Sequence, residues 1–235
     1  MCNFLSVLVL KNGDVLHHPM LDSHSDLVAY FDLPDTNAHI HHFAKAELTP
    51  VDWLDPATWL WHIDEETRPT WLDDVEQQAK DKARSIARRM IITDTTKLPK
   101  LIVDGCWIVG GKAKIRDVRA GRIVRIQDSA TVSGVRGSAT VSGVRGSATV
   151  SDVRGSATVS GVGGSATVSN VRGSATVSDV GGSATVSDVG DSATVSGVRG
   201  SATVSGVGGS ATVSGVRDSA TVSGVGGSAT VSGVG

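Results

Sequence analysis

The chain has 235 residues, 40% of them hydrophobic and 4% aromatic, with a formal net charge of −2, which is enough material for one or two domains. Only Cys2 and Cys106 are present, so no disulfide framework is implied, and no apolar run approaches the roughly 20 residues of a membrane helix. The small net charge conceals a separation. Residues 1–76 carry 14 acidic and 3 basic side chains (net −11), residues 77–125 carry 4 and 13 (net +9), and residues 126–235 carry six of each.

The start, Met1-Cys2-Asn3-Phe4, lacks the basic region and apolar stretch of a secretory signal, so the expected compartment is the cytoplasm. Cys2 reads as a small residue, since no basic cluster or signal marks it for a lipid. Phe4 to Leu10 is apolar and β-branched, Asn12-Gly13 is a two-residue turn signal, and Val15-Leu16-His17-His18 is the return strand of an opening hairpin. Leu27, Val28 and Phe31 suit a short helix from Ser25 to Phe31, capped by Ser23 or Ser25 and stopped before Pro34. Ala38 to Leu48 reads as a strand with Ile40, Ala44, Ala46 and Leu48 on one face, and Trp59 to Ile63 as another strand of the same sheet.

A long helix is expected from Trp71 to Met90, with Leu72, Val75, Ala79, Ala83, Ile86 and Met90 as its apolar stripe. Thr70 with Asp73 resembles a capping box. Acidic Asp73, Asp74 and Glu76 at its start and basic Arg84, Arg88 and Arg89 at its end complement the helix dipole, which accounts for part of the charge separation.

From Ser129 to Gly235 the sequence Ser-Ala-Thr-Val-Ser recurs twelve times at an unbroken period of nine. A nine-residue unit cannot bury a core alone, so it is one side of a solenoid coil whose core forms by stacking. Ala130 and Val132 share one face of a strand, Thr131 takes the other, Val135 past Gly134 is the third inward residue, and Gly137 frees the next corner. Val at two fixed positions in each unit argues against a flexible linker. Two units make an 18-residue coil, either a two-sided β-roll or a three-sided parallel β-helix, and at about 4.8 Å per coil the twelve units form a rod roughly 29 Å long. Ala113-Lys114-Ile115 with Val118, and Gly121-Arg122-Ile123 with Ile126, repeat the pattern with bulkier residues. Cys106-Trp107-Ile108 is a more degenerate turn of the same kind.

The expected fold class is therefore an α+β N-terminal domain capping a C-terminal parallel β solenoid. Its parts are an acidic domain over residues 1–100, transitional capping coils over 101–128, and the nonapeptide solenoid over 129–235. The final unit, Ser228 to Gly235, carries no distinct cap. End-to-end homodimerisation burying Val225, Val231 and Val234 would cover its edges.

Chemical sites are sparse. His39 and His41 on one strand face, with His42 and the hairpin His17 and His18, form the one cluster resembling a metal site, but its spacing matches no metal motif and no metal is expected. The repeat Ser and Thr residues have no distinguished member, and no His follows His62, so no nucleophile with its base is legible and no enzyme is expected. Asp152, Asp179, Asp188, Asp191 and Asp218 lack the register of a calcium-binding roll. No phosphate loop or dinucleotide fingerprint is present, so no cofactor is expected.

Two charged stretches remain. Asp52, Asp55, Asp64, Glu65 and Glu66, followed by Asp73, Asp74 and Glu76, fall within 25 residues. They are interleaved with Trp53, Trp59, Trp61 and Trp71, and such a field can steer onto a basic groove. Lys112, Lys114 and Arg116, followed by Arg119, Arg122 and Arg125, border the first coils as alternative contacts for nucleic-acid phosphate. A further alternative is ice or glycan contact through the outward Thr131, Thr140 and Thr149 ladder.

The Gly-Ser-Ala-Thr-Val-Ser-Gly and Gly-Asp/Asn-Val units resemble the solenoid repeats of phage and prophage-associated proteins, over about half the chain. An acidic domain beside a solenoid is similar in outline to phage anti-defence proteins, such as anti-CRISPR or anti-restriction inhibitors that mimic DNA charge. The resemblance implies a non-enzymatic inhibitor acting in the host cytoplasm. Its partner would be a nucleic-acid-binding defence complex.

Overall fold

The computed structural model describes residues 5–34, 39–93, 101–102 and 104–235. The chain forms two compact units, Met1–Ile91 and Ile92–Gly235.

The first unit is built on a four-stranded antiparallel sheet in the order β2-β1-β3-β4, with β1 Leu5–Leu10, β2 Val15–Leu16, β3 Phe43–Thr49 and β4 Leu60–Ile63. The Asn12-Gly13 turn closes the β1–β2 hairpin, with Gly13 at φ +75°, a conformation glycine adopts without strain. Helix α1 (His24–Tyr30) starts at Ser23, whose hydroxyl accepts the Asp26 N–H at 3.1 Å as expected of an N-cap. Its Leu27 and Val28 pack on Leu8 and Phe43, on one face of the sheet. The opposite-facing Val7, Val9, Ala44, Ala46 and Leu48 are also fully buried, and α2 (Leu72–Met90) lies against β1, β2 and β3.

Three local expectations are corrected. His39–His41 form a 3-10 turn, and the strand starts only at Phe43, so His39 and His41 share no strand face. Thr70 does not cap α2. Trp71 holds the N-cap position without a side-chain bond, and Arg68 instead reaches over the first turn to Asp73 (2.8 Å) and Glu76 (2.6 Å). The buried stripe of α2 is Leu72, Ala79, Ala83, Ala87 and Met90, with Ile86 half-buried at its flank. The 3.6-residue period carries Ala87, one position on, to the sheet side.

The second unit is a parallel β solenoid with two strands per coil. Successive repeats alternate between two sheets. Thr131, Thr149, Thr167, Thr185, Thr203 and Thr221 stack in a seven-stranded sheet, and the intervening repeats stack in a nine-stranded one. The register advances 18 residues per coil, as in Thr158↔Thr176 and Val162↔Val180. The two-sided winding is thus the one adopted.

The spacer explains how. Val150 and Val153 are three apart, which in an extended strand would put them on opposite faces, yet both are fully buried. From the third repeat onward the residue between Ser and the second Val is left-handed, at φ +53° to +64°. This resets the alternation and returns the second Val to the interior. Only Gly, Asp and Asn occupy that position in the twelve repeats, the residues that enter this region at least cost. In the first two repeats Gly134 and Gly143 are not left-handed, and the strands shorten to Thr131–Val132 and Thr140–Val141.

The corner residue at the end of each unit is left-handed too, from Gly137 at φ +62° to Gly227 at +68°. Where Asp replaces Gly there, its carboxylate accepts a backbone N–H of the coil before: Asp191 from Gly173 at 2.9 Å and Asp218 from Gly200 at 3.0 Å. The ladder continues round these corners, with Ser174 N donating to Gly155 O and Thr176 N to Ala157 O, both at 3.0 Å.

The coil grades in as expected. Arg122–Ile126 pairs with Cys106–Val109 at a step of 16 residues (Arg122↔Cys106), Thr131 pairs with Lys114 at 17, and Thr140 pairs with Arg122 at 18. Ile108, Val109, Ile115, Ile123 and Ile126 fill the first coils with larger side chains than the Ala and Val above them.

Candidate functional site

The acidic stretch 52–76 lies wholly in the first unit, along the turns on either side of β4 and the first turn of α2. Asp52 and Asp55 are exposed and each stabilises its own turn: Asp52 Oδ1 accepts from Leu54 N at 2.9 Å, and Asp55 Oδ1 accepts from Ala57 N at 3.0 Å. Asp64, Glu66, Asp73 and Asp74 are exposed as well. Glu65 is half-buried and accepts the Lys45 N–H at 2.6 Å. Glu76 is half-buried between the Trp61 indole N–H (2.9 Å) and Arg68.

Of the tryptophans in this stretch, Trp59 is buried and Trp53, Trp61 and Trp71 are half-buried. Trp59 is 1% exposed, and its indole N–H donates to Asp52 O at 2.7 Å. Trp71 is half-buried and donates to Ile40 O at 2.7 Å, and Trp53 is half-buried too. Trp59 therefore holds the acidic turn from beneath, and a partner approaching this region meets carboxylates first. The surface that remains is Asp52, Asp55, Asp64, Glu66, Asp73 and Asp74, with Arg68 the basic side chain among them.

The basic stretch of the second unit is divided. Lys114 is on a strand of the seven-stranded sheet, whereas Arg122 and Arg125 are on a strand of the nine-stranded sheet. Outward side chains of the two sheets point away from each other, so Lys114 does not share a face with the strand that carries Arg122 and Arg125. Lys112, Lys114 and Arg116 are exposed, and Arg119 pairs with Asp117 at 2.9 Å. Arg125 donates to Gln127 at 3.1 Å, and burial beside Arg145 holds its guanidinium below the usual range. The outward threonines form a column on each sheet, one Thr per strand, half-buried except for the exposed Thr221 and Thr230 of the last strands.

Of the histidines singled out from sequence, His41 and His42 are exposed, and the side chain of His39 lies outside the described residues. His18 follows β2, where its Nδ1 accepts from Met20 N at 3.2 Å and its ring lies 4.5 Å from that of Tyr30. His17 is half-buried, and burial pushes its pKa down to about 4. At the other end of the chain, Val225 is 45% and Val234 72% exposed while Val231 is half-buried, on strands that form the outer edges of the two sheets.

One further constellation carries no local sequence signal. His24, the buried first residue of α1, has Nδ1 at 3.1 Å from Asp64 Oδ2 and Nε2 at 3.0 Å from Ala46 O. Glu47 is 6% exposed, and one donor atom from each of His24, Glu47 and Asp64 falls within 4.8 Å of the others. Among the described residues this is the one His, Cys, Asp and Glu grouping of three that converges so closely. His24 and Asp64 are 40 positions apart, so no local spacing signals it.

No helix among the described residues is long and apolar enough to cross a membrane. Comparison of the chain with models of known protein families, with curated proteins and with solved structures finds no match.

Proposed function

We propose that the protein works without catalysis, as an inhibitor or scaffold whose acidic N-terminal unit occupies a basic nucleic-acid-binding groove of a protein partner in the cytoplasm. This is the mode of action of phage-type anti-defence proteins. The observation that carries the reading is that six carboxylates of the stretch 52–76, at Asp52, Asp55, Asp64, Glu66, Asp73 and Asp74, are exposed while Trp59 among them is buried. A rigid array of like charge on a folded support presents a basic groove with what a nucleic-acid backbone presents. The solenoid then serves as a stiff arm. The proposal extends to pairing of two copies through the strands that carry Val225 and Val234.

The test is affinity capture from lysate of the cells that carry the gene, with wild type and two variants. One variant changes Asp64, Glu66, Asp73 and Asp74 to Asn or Gln. The other changes Lys112, Lys114, Arg116 and Arg119 to Ser. Loss of the captured protein in the first variant alone supports the proposal. Loss in the second alone reassigns binding to the first coils, and retention by both removes charge as the basis of recognition. For the arm, light scattering at tens of micromolar should give a dimer that deletion of residues 219–235 abolishes.

A further inference from the structure

We infer that one edge of the solenoid carries a binding row for the phosphate backbone of a nucleic acid, formed by Arg119, Arg136, Arg154 and Arg172. The position after the second Val of each unit is where the chain leaves one sheet for the other, and in the twelve repeats only Arg or Gly fills it. The 18-residue coil brings every second copy of that position to the same edge. Arg136 N–H donates to Val118 O at 2.7 Å, Arg154 N–H to Val135 O at 2.8 Å and Arg172 N–H to Val153 O at 2.9 Å. With Val118, Val135, Val153 and Val171 in register, the arginine that follows each of them stacks on the one below. Four exposed arginines thus stand in one row, about 14 Å from first to last at the strand spacing of about 4.8 Å.

Nothing in the coil requires arginine there. Gly190, Gly208 and Gly226 occupy the same row in later coils and make the same backbone bond, with Gly190 N donating to Val171 O at 2.9 Å. Like charges directly opposite on neighbouring strands repel, so the stacked row is a cost that a bound polyanion offsets. Its own acids neutralise it only in part. Asp117 pairs with Arg119 at 2.9 Å and Asp152 with Arg154 at 3.1 Å, each within its own unit. Arg136 and Arg172 have no carboxylate partner among the described residues. Exposed pairs contribute little, and Arg119 and Arg154 are 64% and 51% exposed, so an incoming phosphate displaces either carboxylate at small cost. Asp188 and Asp191 bound the far end: they border a hollow beside Arg172 without pairing to it, and Asp191 is held by Gly173 N at 2.9 Å.

The residue type selects phosphate. All six cations of residues 129–235 are arginine and none is lysine, and the guanidinium fork meets two phosphate oxygens at once, which an ammonium does not. A single row meets a single backbone. No aromatic side chain follows Trp107 to stack on bases, so the contact positions a strand without reading its sequence. The row is separate from the acidic stretch of the first unit and the probe below contains no protein, so this inference and the proposed function can fail independently.

The experiment uses the full chain and the fluorescence anisotropy of a labelled nucleic acid about 20 nucleotides long, single-stranded in one arm and duplex in the other. Saturable binding in at least one arm is expected. Neutralising four phosphates of a single strand makes affinity fall about 50-fold between about 50 and 200 mM NaCl. Arg136→Gln with Arg172→Gln should weaken binding at least about tenfold at the lower salt and roughly halve the salt slope. Arg199→Gln with Arg217→Gln removes the same charge from the other edge, where Arg199 N donates to Val180 O and Arg217 N to Val198 O, and should change affinity less than about twofold. All four positions are exposed and Gly fills their equivalents elsewhere, so both variants keep the fold. Absence of binding in both arms at about 50 mM NaCl, or equal loss in the two double variants, would overturn the assignment.

Discussion

Position 197 isolates the device that makes the coil two-sided. Gly197 has φ +64°, and a Cβ there would meet nothing nearer than Asp179 N and Oδ1 at 3.5 Å, so space is available and backbone conformation alone governs the cost. An L residue held in the left-handed region costs about 1–3 kcal/mol, with β-branched residues at the upper end and Asn or Asp at the lower. Asp179 and Asp188 hold the equivalent place in other coils at φ +53° and +56°. Gly190 supplies the control: it is absent from the left-handed residues, and nothing lies within 4 Å of its would-be Cβ. At about 2–4 °C of melting temperature per kcal/mol for a chain of this size, Gly197→Val should lower the transition by roughly 4–10 °C. Gly197→Asn should cost about 2–4 °C and Gly190→Val should be neutral on the same scale. Differential scanning calorimetry on the three variants is the assay. Equal melting of Gly197→Val and Gly190→Val would refute the claim that a left-handed residue resets the strand.

Further outcomes follow from the core and the histidines. Val177 is fully buried between Val159 and Val195 in the stack, so Val177→Asp buries an unpaired charge and should cost more than about 4 kcal/mol, seen as lost hydrogen-exchange protection in the adjoining coils, while Thr176→Ser stays near wild type. For His17 the folded pKa of about 4 lies below the unfolded 6.5, so the unfolded chain binds the extra proton. Its contribution to stability is complete above pH 6.5 and is lost as pH falls through about 4; His17→Gln should flatten stability over that window in urea titrations. Arg68→Ala removes two surface ion pairs to Asp73 and Glu76 and should cost no more than about 1 kcal/mol, diminishing with added salt, in chemical denaturation.

The solenoid was legible because its determinants repeat. The nine-residue period, the inward Ala130, Val132 and Val135, and the bulkier transitional units around Ile115 and Ile123 all appear in the structure as read. The winding stayed open because strand alternation alone does not place both valines inside. The restriction of the intervening position to Gly, Asp and Asn, which marks the left-handed residue, reads at first as a variable spacer.

In the first unit the hairpin, Ser23 cap and long helix were likewise local signals. What escaped was set by contacts distant in sequence. Thr70 looks like a cap until Arg68 takes over the first turn, and Trp59 looks like an interface anchor until the fold buries it under Asp52. His24 stands in an unremarkable helix start, and only the pairing of β3 with β4 brings Glu47 and the residue after Ile63 to it.

If the acidic face occupies a nucleic-acid groove of the partner, salt and DNA should both compete with it. The captured partner is immobilised, and binding of the full chain is followed while NaCl rises from 50 to about 500 mM, where screening shortens to a few ångströms, and separately while duplex DNA is titrated in. Affinity should fall steeply with salt, and DNA should displace the chain at one shared site. Binding that is indifferent to salt, or a ternary complex of partner, DNA and this chain, would contradict it.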